Sequence, residues 1–163
     1  MSTHSTSGSP QIALVLALAG LVYTTTLKAQ QDAPDPDFLL QQDPKTSLWG
    51  VVDANDHALW PAEFTSLRPA GKKVAVGFKP GDGDAYILGT GGRVKRVPHA
   101  DYWRTYKEAL LRSDIADRQL IARVLDMYAD PLARLAELEN MERTYAGMGE
   151  VREEAVGKLL AQN

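Results

Sequence analysis

The chain has 163 residues, 44% of them hydrophobic and 24% charged, with a formal net charge of -3 and no cysteine. That length holds one folded domain or two very small ones. The missing thiols exclude a disulfide, a thiolate metal site and a cysteine nucleophile.

Residues 1–10 are a polar tail, and residues 11–28 are the one strongly apolar segment. No charge occurs from Ser5 to Leu27, and the run from Ile12 to Tyr23 is apolar almost throughout. Crossing a hydrocarbon core of about 30 Å takes about 20 helical residues. Ile12, Leu14, Val15, Leu16, Leu18, Leu21 and Val22 therefore make a short single span once the uncharged residues on either side are counted. Tyr23 suits an interface, with its ring in the apolar layer and its hydroxyl wet, and Lys28 marks the exit.

A cleaved secretory signal is the second reading of this segment. Residues 1–11 carry no Lys or Arg, and Leu27 is large for the position three residues before a cut after Ala29; both count against it. A helix buried in a soluble assembly or packed in a virion is the third. The expectation taken forward is an uncleaved anchor. Its bulk is expected on the exported or periplasmic side, although Lys28 by itself favours the cytoplasm.

Residues 29–46 are expected to be a linker. Ala33-Pro34, Asp35-Pro36 and Asp43-Pro44 remove amide donors and disfavour helix before each proline. Phe38, Leu39 and Leu40 interrupt it as an apolar trio suited to docking on a neighbour or on the following domain.

Residues 47–98 change to strand periodicity. Leu48–Val52 and Ala58–Trp60 flank an Asn/Asp turn and predict a hairpin that Pro61 ends. Lys73–Phe78, Ala85–Leu88 and Arg93–Val97 follow, separated by the glycine-rich turns at 79–84 and 89–92. Five short strands are the size of a small antiparallel meander or half barrel.

Residues 99–163 are helical in period. His99–Arg112 places Tyr102, Trp103, Tyr106, Leu110 and Leu111 on one side. After a cap at Ser113 or Asp114, a second helix carries Ile115, Leu120, Ile121, Val124, Leu125 and Tyr128. Asp130-Pro131 starts a third, with Leu132, Leu135, Leu138, Met141 and Tyr145 recurring until Gly147 and Gly149. A last helix carries Val151, Ala155, Leu159 and Leu160. The class is α+β, with a small sheet domain followed by helical hairpins.

Charge is distributed unevenly. Residues 29–63 set seven carboxylates against Lys45, for -6, whereas residues 64–98 set seven cations against Asp82 and Asp84, for +5. Such dipolar charge suits association surfaces. Lys72, Lys73, Arg93, Lys95 and Arg96 form the candidate interaction patch, facing either anionic lipid headgroups or a solvated edge, with Phe78 or Tyr86 as stacking groups if nucleic acid binds. Nucleic acid is the less favoured partner.

No catalytic, cofactor or metal constellation emerges. Gly81-Asp-Gly-Asp84 lacks the further ligands of a calcium loop. Gly89-Thr-Gly-Gly92 precedes a strand where a phosphate cradle needs a helix. His4, His57 and His99 have no zinc or triad spacing and are expected at the surface or in turns. Glu137, Glu139 and Glu142 are expected in a solvated face with Arg134 and Arg143. Trp49, Trp60 and Trp103 are expected in the core, or as contact anchors where exposed.

These features predict a non-enzymatic, single-span, membrane-anchored interaction or assembly subunit of a multiprotein cell-envelope complex, with other protein subunits as partners. The alternatives are a viral or phage structural protein with a membrane-active amino terminus, and a soluble exported protein released from a cleaved signal.

Overall fold

A computed structural model describes residues 36–162 as two antiparallel sheets and four helices. The α+β class therefore holds for this part of the chain. The anchor residues Ile12, Leu14, Val15, Leu16, Leu18, Leu21, Val22 and Tyr23 lie outside the described residues. Among the described residues no helix is long and apolar enough to cross a membrane.

The first sheet is a meander of β1 (Leu39–Gln42), β2 (Trp49–Val52) and β3 (Ala58–Phe64). The second is a meander of β4 (Ser66–Pro69), β5 (Val74–Phe78), β6 (Ala85–Gly89) and β7 (Val94–Val97). Thr65 alone separates β3 from β4, and its amide donates to the Phe78 carbonyl at 2.9 Å, so one continuous path of chain leaves the first sheet and enters the second.

Three expectations are corrected here. The linker contains a strand, because Phe38 and Leu40 bury their side chains in the apolar layer between the sheets. Pro61 does not end β3: β3 is an edge strand, where a missing amide costs no ladder bond. The register shifts between β2 and β3 also let the chain pass it. Ser66–Pro69, unmarked by any strand pattern, is a further strand beyond the five expected.

β5 and β6 form the centre of the molecule because both of their faces are covered. Val76, Phe78, Ala85 and Ile87 point to the helices; Ala75, Tyr86 and Leu88 point to the first sheet. Gly77 also belongs to the second set. A Cβ there would come within 2.6 Å of the Phe64 ring and 2.9 Å of Leu67, so only glycine lets the sheets close.

Four helices cover the other face: α1 (His99–Arg112), α2 (Arg118–Asp126), α3 (Pro131–Thr144) and α4 (Met148–Ala161). α1 follows Pro98 directly, and α3 starts where Asp130 accepts a hydrogen bond from the Ala133 amide. Tyr102, Tyr106, Leu110, Ile121, Leu125, Met148, Val156 and Leu159 fill the space between helices and sheet. Leu111, Leu120 and Leu160, expected on the apolar stripes, are exposed instead, as is Leu132 in the first turn of α3. Each of the first three stands about 100° round its helix from a buried neighbour, Leu110, Ile121 or Leu159, which takes the inward position. Gly149 does not break a helix; it lies inside α4, while Gly147, at φ 90°, precedes it.

Candidate functional site

The five basic residues predicted as a patch lie on one sheet and its turns and divide into two groups. Arg96, on β7, donates from Nε to Asp84 at 2.9 Å and from its terminal nitrogen to Asp82 at 3.2 Å, with its guanidinium 5.4 Å from the Tyr86 ring centre. Lys79 covers the same ring at 4.6 Å. Tyr86 also donates its hydroxyl to Asp82 at 2.5 Å. That hydrogen bond, with the Asp84 amide and the Arg96 charge behind it, holds the Asp82 carboxyl below the usual range. The Gly81–Asp84 carboxylates are thus occupied by protein donors. Among the described residues no cluster of three or more His, Asp or Glu is arranged to hold a metal ion.

Lys95 is also committed. Its ammonium donates to the Leu159 carbonyl and, at 2.6 Å, to the Gln162 carbonyl, so it satisfies the carboxyl end of α4, where cations are favoured. The two expected stacking groups are enclosed. Phe78 packs edge-on against Tyr102 at 5.3 Å and Tyr86 against Phe64 at 6.1 Å, leaving neither face for a base.

Lys72, Lys73 and Arg93 are different. All three are exposed, and no ion pair or side-chain hydrogen bond involves them among the described residues. Two turns bring them to one end of the second sheet. Ala70 donates to the Val74 carbonyl at 2.8 Å to close the β4–β5 turn, and Gly89 donates to the Arg93 carbonyl at 2.8 Å to close the β6–β7 turn. In the latter, Thr90-Gly91-Gly92 is a three-residue hairpin loop with Gly92 at φ 91°, where a side chain would be strained. The Thr90 amide donates to the Lys73 carbonyl at 3.0 Å and joins the two turns. The incoming chain reaches the same place, because the Asp37 amide donates to the Lys72 carbonyl at 2.8 Å.

Beneath this end lies a groove of about 680 Å³ lined by Val74, Ile87, Val94, Leu160, Arg93 and Lys95, among others. Its walls are mainly apolar, with Arg93 and Lys95 the two cations among them. A second, smaller depression of about 310 Å³ lies against β1–β3 and is lined by Gln41, Trp60 and Pro61, among others.

Sequence reasoning missed a buried ionic network between the second sheet and the helices. Arg152 on α4, 4% exposed, donates to the Pro69 carbonyl at 2.8 Å and pairs with Glu142 on α3. Tyr106 donates to the other Glu142 oxygen at 3.0 Å. Burial works against the Arg152 charge, but Glu142 and the two tyrosines outweigh it and its pKa is raised. Burial pushes the Tyr102 and Tyr106 hydroxyls far above the ordinary phenol value, with Glu142 adding to the effect. Beside them Arg68 on β4 pairs with Glu139, which also accepts from Arg143 at 3.2 Å. The space among these groups is about 20 Å³, room for one water at most. Of the expected solvated face, only the Glu139–Arg143 pair follows the i,i+4 pattern.

His99 is corrected as well, being buried and not at the surface. Arg134 stands 3.0 Å from Nε2 and can only donate, so Nε2 accepts and Nδ1 carries the proton toward the Gly83 carbonyl at 3.0 Å. Arg134 further donates to the Leu125 and Tyr128 carbonyls and lies 5.5 Å from the Trp103 ring centre. These contacts tie α1, the end of α2 and α3 together. Of the three tryptophans, Trp103 is buried in the helical core and Trp49 and Trp60 are partly buried between the sheets. No family model, no curated protein and no solved structure matches this chain.

Proposed function

We propose that this chain is a non-enzymatic, single-span, membrane-anchored interaction or assembly subunit of a multiprotein cell-envelope complex. The observation that carries the reading is the uncharged stretch from Ser5 to Leu27, joined to a folded α+β domain. Hydrocarbon accepts such a stretch as a helix because every backbone group is paired internally and no charge is dragged in. Tethering a small domain to a membrane raises the effective concentration of its contacts, so weak surfaces suffice for assembly.

The helical side supplies an apolar surface for those contacts. Leu120, on α2, and Met127, the residue that caps its carboxyl end, lie about two turns apart on one side; Met127 is 81% exposed, and Leu132 is exposed at the start of α3. A side chain of that size left in water is stabilised when a partner covers it.

An alkaline wash of membranes containing the full chain should leave it in the pellet, and mild detergent should release it as a particle heavier than one chain. Leu120→Glu with Met127→Glu should reduce that particle to the single chain without loss of helical circular dichroism. Recovery of the full chain as a freely soluble monomer would overturn the anchor, and an unchanged particle in the double variant would move the contact surface elsewhere.

A further inference from the structure

The exposed cations and the entry point of the chain coincide, and that coincidence has a physical consequence. Residues 28–35 separate the apolar stretch from the described domain; eight residues reach about 28 Å at full extension. The domain is therefore confined to a shell of that depth over the bilayer, if residues 12–27 lie in it. The tether does not attach at a random point of the surface. It arrives beside Lys72, through the Asp37 amide, and so the end of the second sheet bearing Lys72, Lys73 and Arg93 is the end nearest the lipid.

We propose that this end docks on anionic phospholipid headgroups, with Lys72, Lys73 and Arg93 as the headgroup contacts. The inference rests on the membrane-anchored reading above. Three exposed apolar side chains accompany the cations. Val94, 50% exposed, follows Arg93; Leu160, 45% exposed, shares the groove with it; and Leu39, 44% exposed, lies two residues past the Asp37 contact. Apolar side chains among cations are the composition of an interfacial membrane surface, the former entering the boundary layer while the latter meet the phosphates. The cations at the other end of the same sheet do not compete, since Arg96 is held by Asp82 and Asp84. A basic side chain gains roughly fivefold in affinity at an anionic surface and the gain decays over a Debye length of about 8 Å, so three together decide the orientation of a domain already held close. Asp32 and Asp35 on the tether, and Asp37 where it meets the domain, are the rival partners for these cations.

The absence of cysteine makes a direct test simple. Gly91→Cys, in the open loop between β6 and β7, takes a fluorophore without a clash. Ala129→Cys, next to the Asp130 cap of α3, reports the opposite end, since Pro131 packs on Gly83 in the β5–β6 turn. The full chain is placed in nanodiscs carrying a headgroup quencher, of neutral phosphatidylcholine alone or with one-third phosphatidylglycerol. Quenching at Gly91→Cys should rise several-fold with phosphatidylglycerol and fall back at high salt, while Ala129→Cys stays unquenched. Lys72→Glu, Lys73→Glu and Arg93→Glu together should return Gly91→Cys to the neutral-disc level, and Lys45→Glu, an exposed charge reversal in the β1–β2 loop, should not.

Equal quenching in both lipids overturns the docking and assigns the cations to the tether aspartates. A change of signal produced by inorganic phosphate in neutral discs overturns it in favour of a soluble anion. Failure of the chain to enter nanodiscs at all overturns the anchor and the docking together, whereas entry without lipid-dependent quenching overturns the docking alone.

Discussion

The helix-covered side of the second sheet and its 70–73/89–93 end handle charge in opposite ways. On the helix side three cations are held by acceptors inside the fold. Arg152 has Glu142 and the Pro69 carbonyl, Arg134 has two carbonyls and a neutral imidazole, and Lys95 has the end of α4. At the turn end Lys72, Lys73 and Arg93 have only solvent among the described residues. Cations of one small domain thus divide into those that assemble the fold and those that stay exposed. Desolvation decides which: a buried charge without an acceptor is expensive, and an exposed one costs nothing to leave open.

The contrast breaks most sharply at Arg152. Arg152→Leu leaves the Glu142 carboxylate buried without its cation and should destabilise the full chain by about 3–5 kcal/mol in urea unfolding in detergent. Adding Glu142→Leu should recover a large part of that loss, because the unpaired charge goes with it. A purely apolar change in the same layer ranks next. Gly77→Ala forces a methyl against Phe64 and Leu67, and overpacking of that kind costs about 1–3 kcal/mol. Asp130→Ala removes the side-chain acceptor at the start of α3 and should cost about 1 kcal/mol, read as a lower thermal midpoint.

His99 sharpens the comparison through pH. Burial, and then the Arg134 charge, hold its imidazole below the ordinary 6.5 despite the Gly83 carbonyl, Asp84 and Asp130. The unfolded chain therefore takes up a proton first as pH falls. The stability due to the neutral imidazole is fully present above pH 6.5 and is lost on acidification through the lowered folded-state value. Thermal midpoints should fall between about pH 7.5 and 5.5, and His99→Gln should flatten the slope. At the exposed end the expected effect on folding is smallest. Lys72→Glu, Lys73→Glu and Arg93→Glu should each leave the unfolding midpoint within about 0.5 kcal/mol of the parent.

Local signals marked much of this architecture. Pro98 and the spacing of Tyr102, Trp103 and Tyr106 place α1 where it forms, and Asp130-Pro131 marks the start of α3 to the residue, whereas α2 begins at Arg118 after Asp117 and not after Ser113 or Asp114. The glycine turns at 79–84 and 89–92 give the β5–β6 and β6–β7 hairpins. β1 and β4 were not legible. Leu39–Gln42 lies in a proline-rich stretch, and Ser66–Pro69 has only Leu67 as a large apolar residue; each is a strand because a neighbouring strand pairs with it. Pro61 misled for the same reason, since its place on an edge is a property of the sheet and not of the tripeptide around it.

The candidate site was half legible. The glycine turn at 89–92 places Arg93, but the β4–β5 turn that brings Lys72 and Lys73 beside it was not legible, and nothing local distinguishes Arg93 from Arg96 on the adjoining strand. Which of them stays free depends on Asp82 and Asp84, brought opposite β7 by the antiparallel register. Glu142 and Glu137 are likewise equivalent in sequence, but only Glu142 faces an arginine from α4.

By itself the sequence determined the class of each long element, the turns at 79–84 and 89–92, and the uncharged stretch from Ser5 to Leu27, because these depend on backbone conformation and on side-chain polarity over a few turns of chain. Tertiary structure alone decided which edge residues became strands, which charges were consumed and where the incoming chain met the sheet. Those outcomes depend on what is adjacent in space, and desolvation and pairing act only on groups that the whole fold has brought together.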